Sequence, residues 1–181
     1  MEDIRMGEKD RKRMILERLQ TELASEEIPA VIRKKEEEGL PMDILAVLLT
    51  EYGSRQDEAS AELYFLPLPN GAEGVCYFSS VITLTESIDP LCLDAVCKAV
   101  AMINFYLEYG AYVVDVEGSI LAYKMVTPIF EAMNDEQLFA TVDMNFAHAL
   151  DAGEDYAGIL VKLSEGACSL DDVMDLLPNM Q

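Results

Sequence analysis

The sequence predicts an α+β fold: a two-layer sandwich whose antiparallel five-stranded sheet carries helices on one face. Three observations predict it. The spacing of apolar residues switches along the chain between the helical period of about 3.6 and the strand period of 2. The strand-like segments are joined by short polar turns, which suits antiparallel neighbours. Two long helical segments carry apolar stripes too broad to leave in water, so they must cover a face of the sheet. The resulting order is α-β-β-β-α-β-β-α, and 181 residues suffice for one well-packed domain. Residues 1–40 read as an N-terminal helix and linker, 41–166 as the α+β domain, and 167–181 as a short acidic C-terminal helix.

The first helix spans residues 8–24, where Met14, Ile15, Leu19 and Leu23 recur at helical spacing. Its basic run, Lys9, Arg11, Lys12 and Arg13, sits at the end where the helix dipole prefers acids. Contact with acidic surface, within the subunit or across a dimer, would compensate; a frayed, solvated helix start is the alternative. Residues 26–40 leave a short helix and an irregular linker both open, with Pro29 and Gly39 as punctuation. Met42 to Tyr52 reads as a strand, though its Leu and Ala content also suits a buried helix. Residues 61–68 alternate, and Pro67 assigns them to a sheet edge or strand end. After the turn signal Pro69-Asn70-Gly71, residues 75–85 are dense in β-branched and aromatic residues, as a strand should be.

Asp89 as N-cap and Pro90 at the first helical position open the next helix, which runs to about Tyr109 and stops at Gly110. Residues 111–115 and 120–127 form a hairpin around Glu117-Gly118-Ser119, and Pro128 ends its second strand. Asn134 caps the following helix, with Asp135 and Glu136 in its first turn. Gly153 and Gly158 weaken that helix, so a kink is expected near Gly153. Gly166 ends it, and Ser169 to Asp172 begin a last short helix that stops at Pro178.

A hydrophobic fraction of 51% with 26% charged residues excludes disorder as the main state. No apolar run approaches the roughly 18 residues of a membrane span, and the N-terminal stretch lacks the apolar core of a signal peptide. The expected location is therefore cytoplasmic, with Cys76, Cys92, Cys97 and Cys168 as free thiols. Charge is uneven: residues 1–35 hold nine of the thirteen basic residues against eight acids, whereas the rest holds four against 26. The formal net charge of −21 disfavours nucleic acid and anionic lipid and would favour a basic partner. A merely well-solvated acidic surface accounts for it equally well.

Catalytic parts are missing from the sequence. His148 is the single histidine, lying between Ala147 and Ala149, and it reads as surface or core filler rather than a general base. There is no phosphate-binding glycine motif, no CxxC pair and no calcium-loop spacing around Asp151 to Asp155 or Asp171-Asp172. The expectation is a non-enzymatic chain without cofactor or metal.

Asn104 and Tyr106, the hairpin Asp115 to Lys124 with its terminal Tyr123-Lys124 pair, Asn145, Asp155-Tyr156 and Leu163-Ser164-Glu165-Gly166 carry a family resemblance. With the element order, residues 62–166 resemble the bacterial YbjN-like sensory transduction regulators, whose fold is similar to that of type III secretion chaperones. Residues 1–60 and the acidic tail depart from that pattern. The resemblance implies a homodimer that binds protein without catalysis, with an extended client segment wrapping the dimer.

Tyr64, Leu66 and Leu68 are candidate contact residues, because alternation sets them on one side of their strand; cover by the N-terminal segment is the alternative. Met14 and Leu19 on the first helix are the other candidates. Two functions of different class follow: an adaptor or chaperone-like module that binds a protein or peptide segment, and a ligand-sensing regulatory domain with a pocket between sheet and helices.

Overall fold

A computed structural model describes residues 2–53, 57–67 and 73–177. The strands are β1 (Ala30–Arg33), β2 (Ile44–Tyr52), β3 (Asp57–Phe65), β4 (Val75–Thr85), β5 (Ala111–Asp115) and β6 (Ile120–Phe130). The helices are α1 (Glu2–Ser25), α2 (Lys35–Glu38), α3 (Leu93–Ile103), α4 (Asp135–Glu154), α5 (Ala157–Ser164) and α6 (Leu170–Met174). One open antiparallel sheet runs in the order β1-β2-β3-β4-β6-β5. The α+β class stands, but the sheet has six strands where five were expected.

The sixth strand is β1, in the stretch that left helix and linker open. It pairs antiparallel with β2, Ala30 opposite Val47 and Arg33 opposite Ile44. Pro29 precedes it, and the Pro29 carbonyl accepts a hydrogen bond from Leu48 N at 2.9 Å. A proline at the first residue of an edge strand loses no ladder bond. Four residues are too few for alternation to show against the charged run that follows.

Three boundaries also move for tertiary reasons. The α3 helix starts at Leu93, because Asp89 turns the chain first: its carboxylate accepts Leu91 N at 2.8 Å and its carbonyl accepts Cys92 N at 2.8 Å. It ends at Ile103, since the Asn104 amide pairs with the backbone of Tyr112 in both directions, at 2.8 and 2.9 Å. β6 continues through Pro128 to Phe130. Only Ile120 to Lys124 pair with β5, so further along one flank of β6 has no partner from β5 and the missing N–H costs little there. The turn at residues 69–71 and the stop at Pro178 lie outside the described residues. Instead of a kink near Gly153, the long helix breaks between Glu154 and Ala157 into α4 and α5.

The chain divides into two units, each assembled from separated segments. The first comprises Met1–Leu49, Ser60–Ser80 and Val126–Ala147. In it α1 buries Ile15, Leu16, Leu19 and Leu23 and packs on β1. The core continues through Leu45, Val47, Leu63 and an edge-to-face pair, Phe65 and Phe78, with ring centroids 5.1 Å apart. Asn134 caps α4 as expected, its side chain accepting from Gln137 N at 2.9 Å while Gln137 Oε1 accepts from Asn134 N at 3.1 Å. The α1 basic run finds acidic partners here: Arg11 donates to Asp135 Oδ1 at 2.7 Å, to Glu131 O at 3.0 Å and to Met133 O. Arg18 reaches Glu136 at 2.9 Å while lying over the Phe139 ring.

The second unit comprises Thr50–Ala59, Val81–Met125 and His148–Gln181. Val96, Ala99, Val100 and Ile103 form one buried stripe on α3, which packs against α5, α6 and β5. Ser169 and Asp172 close a capping box at the start of α6, and that hydrogen bonding holds the Asp172 carboxyl below its ordinary range.

Candidate functional site

Alternation along the strands of the first unit separates two kinds of side chain. In β2, Leu45, Val47 and Leu49 are buried, while Leu48 between them is 42% exposed. Val31 of β1 stands opposite Ala46, on the Leu48 side of the pleat, and is 57% exposed. Together with Pro29 and Ser60 they line a shallow apolar depression of about 370 Å³. In β3 the buried set is Ala59, Ala61, Leu63 and Phe65. Ser60 and the predicted contact residue Tyr64 therefore take the opposite side. Leu66, two residues on, is half-buried and anchored by its N–H to Tyr77 O at 2.8 Å. In β6, Ile129 is buried, but Val126 and Phe130 are 40% and 61% exposed. Such exposed aliphatic and aromatic area is a candidate for protein contact.

The predicted residues fare unequally against this geometry. Tyr64 and Leu66 are both half-buried. Leu68 lies outside the described residues. On α1, Met14 is 53% exposed, whereas Leu19 is 1% exposed and belongs to the core, so it offers no accessible surface in the folded chain. Five residues along a helix turn about 500°, so Met14 and Leu19 cannot share a face. Val31, Leu48, Val126 and Phe130 were missed. Val31 lies in the unrecognised β1, Phe130 lies beyond the presumed stop at Pro128, and a single strand's alternation does not say which side is covered.

The second unit contains a cluster that invites a catalytic reading: Tyr52, Tyr112 and Tyr123 around Gly153. Tyr52 Oη donates to Leu150 O at 3.0 Å, Tyr112 Oη to Gly153 O at 2.9 Å, and Tyr123 Oη to Tyr109 O at 2.6 Å. Burial raises the phenols of Tyr52 and Tyr112 above the ordinary tyrosine range and pushes Tyr123 up to about 12. Their protons are thus committed to backbone carbonyls, which is a structural duty. The depression beside Tyr52 measures about 20 Å³, room for roughly one water. His148 is exposed and stacks on Tyr109 with centroids 6.0 Å apart. Burial, then the Asp172 carboxylate, raises the Cys168 thiol, away from the reactive thiolate. Among the described residues no group of three or more His, Cys, Asp or Glu side chains could hold a metal ion. Among them, too, no helix is long and apolar enough to cross a membrane. No protein-family model and no curated protein sequence matches the chain.

The tyrosines make stability depend on alkaline pH. Each of the three phenols holds its proton more tightly in the folded chain, so above pH about 10 the unfolded chain sheds protons first. Their contribution is complete below pH about 10 and falls as pH rises through about 12. Urea unfolding followed across that window is expected to show a falling midpoint, with a shallower slope in Tyr123→Phe. A slope unchanged by that substitution would contradict the assignment.

Proposed function

We propose that the chain is a non-enzymatic protein-binding module, an adaptor or chaperone-like regulator of the YbjN-like kind that acts in the cytoplasm as a homodimer. The observation that carries this reading is the exposure of large apolar residues on the strands of the first unit: Val31 and Leu48, which line one depression, and Val126 and Phe130, with Tyr64 and Leu66 half-buried. In this reading the helices occupy one face of a two-layer sandwich and the partner packs on the other. The expected order α-β-β-β-α-β-β-α runs through the twelve described elements once β1, α2 and the short terminal α6 are set aside and α4 and α5 are taken as one broken helix, and this order is what the reading leans on. The partner is a protein segment that combines apolar side chains with positive charge. Apolar area supplies the affinity, and the net charge of −21 steers a basic partner and repels nucleic acid.

Purification from the native host followed by mass spectrometry is expected to recover a protein with the wild type. Leu48→Glu combined with Phe130→Glu is expected to lose it, since both positions are exposed enough to accept charge without unfolding. Light scattering at micromolar concentration is expected to return twice the mass of one chain. A single-chain mass would remove the homodimer, and recovery of only a small molecule would remove the adaptor.

A further inference from the structure

We propose that the segment joining α3 to β5 is a docking surface for a basic protein segment, whose arginine side chains lie on the exposed rings of Phe105 and Tyr109. The segment belongs to the second unit and runs from Asn104 to Gly110. Phe105 is 77% exposed and Tyr109 is 57% exposed. Such exposure would mean little on a loose loop, but this one is fastened at both ends. The Asn104 amide exchanges hydrogen bonds with the Tyr112 backbone at 2.8 and 2.9 Å, and Tyr123 Oη donates to Tyr109 O at 2.6 Å. Between them, Phe105 N and Tyr106 N donate to Met102 O and Ile103 O at 3.2 and 2.9 Å. Gly110 then turns at φ +61°, where a Cβ would collide with the Tyr123 hydroxyl. The two rings are therefore held in water by a fixed backbone, the state in which an aromatic anchor loses least on binding.

Charge selects the occupant. Between Lys98 and Lys162 the sequence carries one basic residue besides His148, which is Lys124. Lys124 pairs with Ala111 across the hairpin, so its side chain leaves on the side of the pleat opposite Tyr123, away from where Tyr123 reaches Tyr109. Lys98 is already bound to Asp94 at 2.6 Å. The acids stand closer: Glu108 is next to Tyr109 in the chain, and Asp151 follows one turn along α4 from His148, which stacks on Tyr109 with centroids 6.0 Å apart. Both carboxylates are exposed, and neither has an ion-pair partner among the described residues. A ring face attracts a cation through its quadrupole, and arginine stacks its planar guanidinium there while donating N–H bonds to a carboxylate. A neutral or acidic segment gains neither interaction. A second copy brought ring to ring would set Glu108 and Asp151 against their own counterparts.

The surface differs from the exposed strand residues in both place and chemistry. Val31, Leu48, Val126 and Phe130 belong to the first unit, whereas Phe105 and Tyr109 belong to the second. Failure of this proposal therefore leaves the strand-face reading intact, and the converse also holds.

The test titrates the full chain by fluorescence anisotropy with a labelled peptide bearing four arginines and with its citrulline counterpart, in about 0.15 M salt. The arginine peptide is expected to bind with a Kd below about 0.1 mM, and the uncharged citrulline peptide at least about tenfold more weakly. Phe105→Leu keeps apolar bulk and every charge but removes the ring. It is expected to weaken the arginine peptide at least about threefold with an unchanged thermal midpoint. Phe130→Leu, the same change at an exposed position of the first unit, is expected to leave the peptide's affinity as it was. No binding of the arginine peptide at millimolar concentration, equal binding of both peptides, an affinity indifferent to Phe105→Leu, or an equal loss in Phe130→Leu would each overturn the proposal. So would a mass by light scattering that falls from two copies to one on Phe105→Leu, since that result assigns the surface to a second copy.

Discussion

Tyr112→Phe is expected to lower the unfolding free energy by about 2–4 kcal/mol, although it removes a single oxygen. Tyr112 is 1% exposed and its ring packs edge-on against Tyr123 at 5.2 Å, contacts that phenylalanine preserves. The oxygen, however, joins the two ends of a broken helix. It donates to Gly153 O at 2.9 Å, near the end of α4, and accepts from Tyr156 N at 3.0 Å, just before α5. In an unbroken helix both groups would bond within the backbone ladder. Here the phenol replaces those bonds, and its removal leaves a carbonyl and an N–H without their partner, each costing about 1–3 kcal/mol. Urea denaturation of the two proteins at neutral pH measures the difference. A loss below about 1 kcal/mol would mean that the break is held by packing alone.

The same break shows how far the sequence can be read. Gly153 and Gly158 announce a weak point in a helix, which is a local property. Why position 153 must be glycine is not local: a Cβ there would stand 2.6 Å from Tyr52 Oη and 3.0 Å from the Tyr123 ring, residues about 100 and 30 positions away. The strands β2 to β4, the β5–β6 hairpin and the Asn134 cap were legible for the converse reason, that alternation, turn residues and capping need only neighbours. β1 was not, because four residues carry too little pattern. Asp89 and Asn104 misled because both act through bonds that take them out of α3, one into a turn and the other onto β5.

Charge placement follows the same rule. The basic run on α1 was legible as an anomaly against the helix dipole, and contact with acidic surface was one way to resolve it. Asp135, the partner of Arg11, and Glu136, the partner of Arg18 further along α1, are more than 110 positions away and could not be read from the chain. At the candidate site, alternation sets Tyr64 on the side of β3 opposite the buried Leu63 and Phe65. It could not reveal that Leu48 and Phe130 are more exposed than Tyr64, since exposure depends on which side the helices cover.

Asn145→Leu is expected to cost about 3–5 kcal/mol. Asparagine is a poor residue for a helix interior, yet Asn145 sits within α4 at 2% exposure. Its amide bridges two strands to the helix: Nδ2 donates to Thr127 Oγ1 of β6 at 2.6 Å, and Oδ1 accepts Ser80 Oγ of β4 at 2.5 Å. Ser80 is fully buried, so its hydroxyl has no recourse to water once the amide is gone. Leucine restores volume with a different branching, adding misfit to the orphaned Ser80 hydroxyl and the lost Thr127 bond. If the loss is polar, Asn145→Leu combined with Ser80→Ala and Thr127→Val should recover most of it, because removing every partner leaves nothing unsatisfied. A triple variant as unstable as the single one would assign the loss to shape. Recovery would instead establish that Asn145 ties α4 to the sheet by registry rather than by net binding strength.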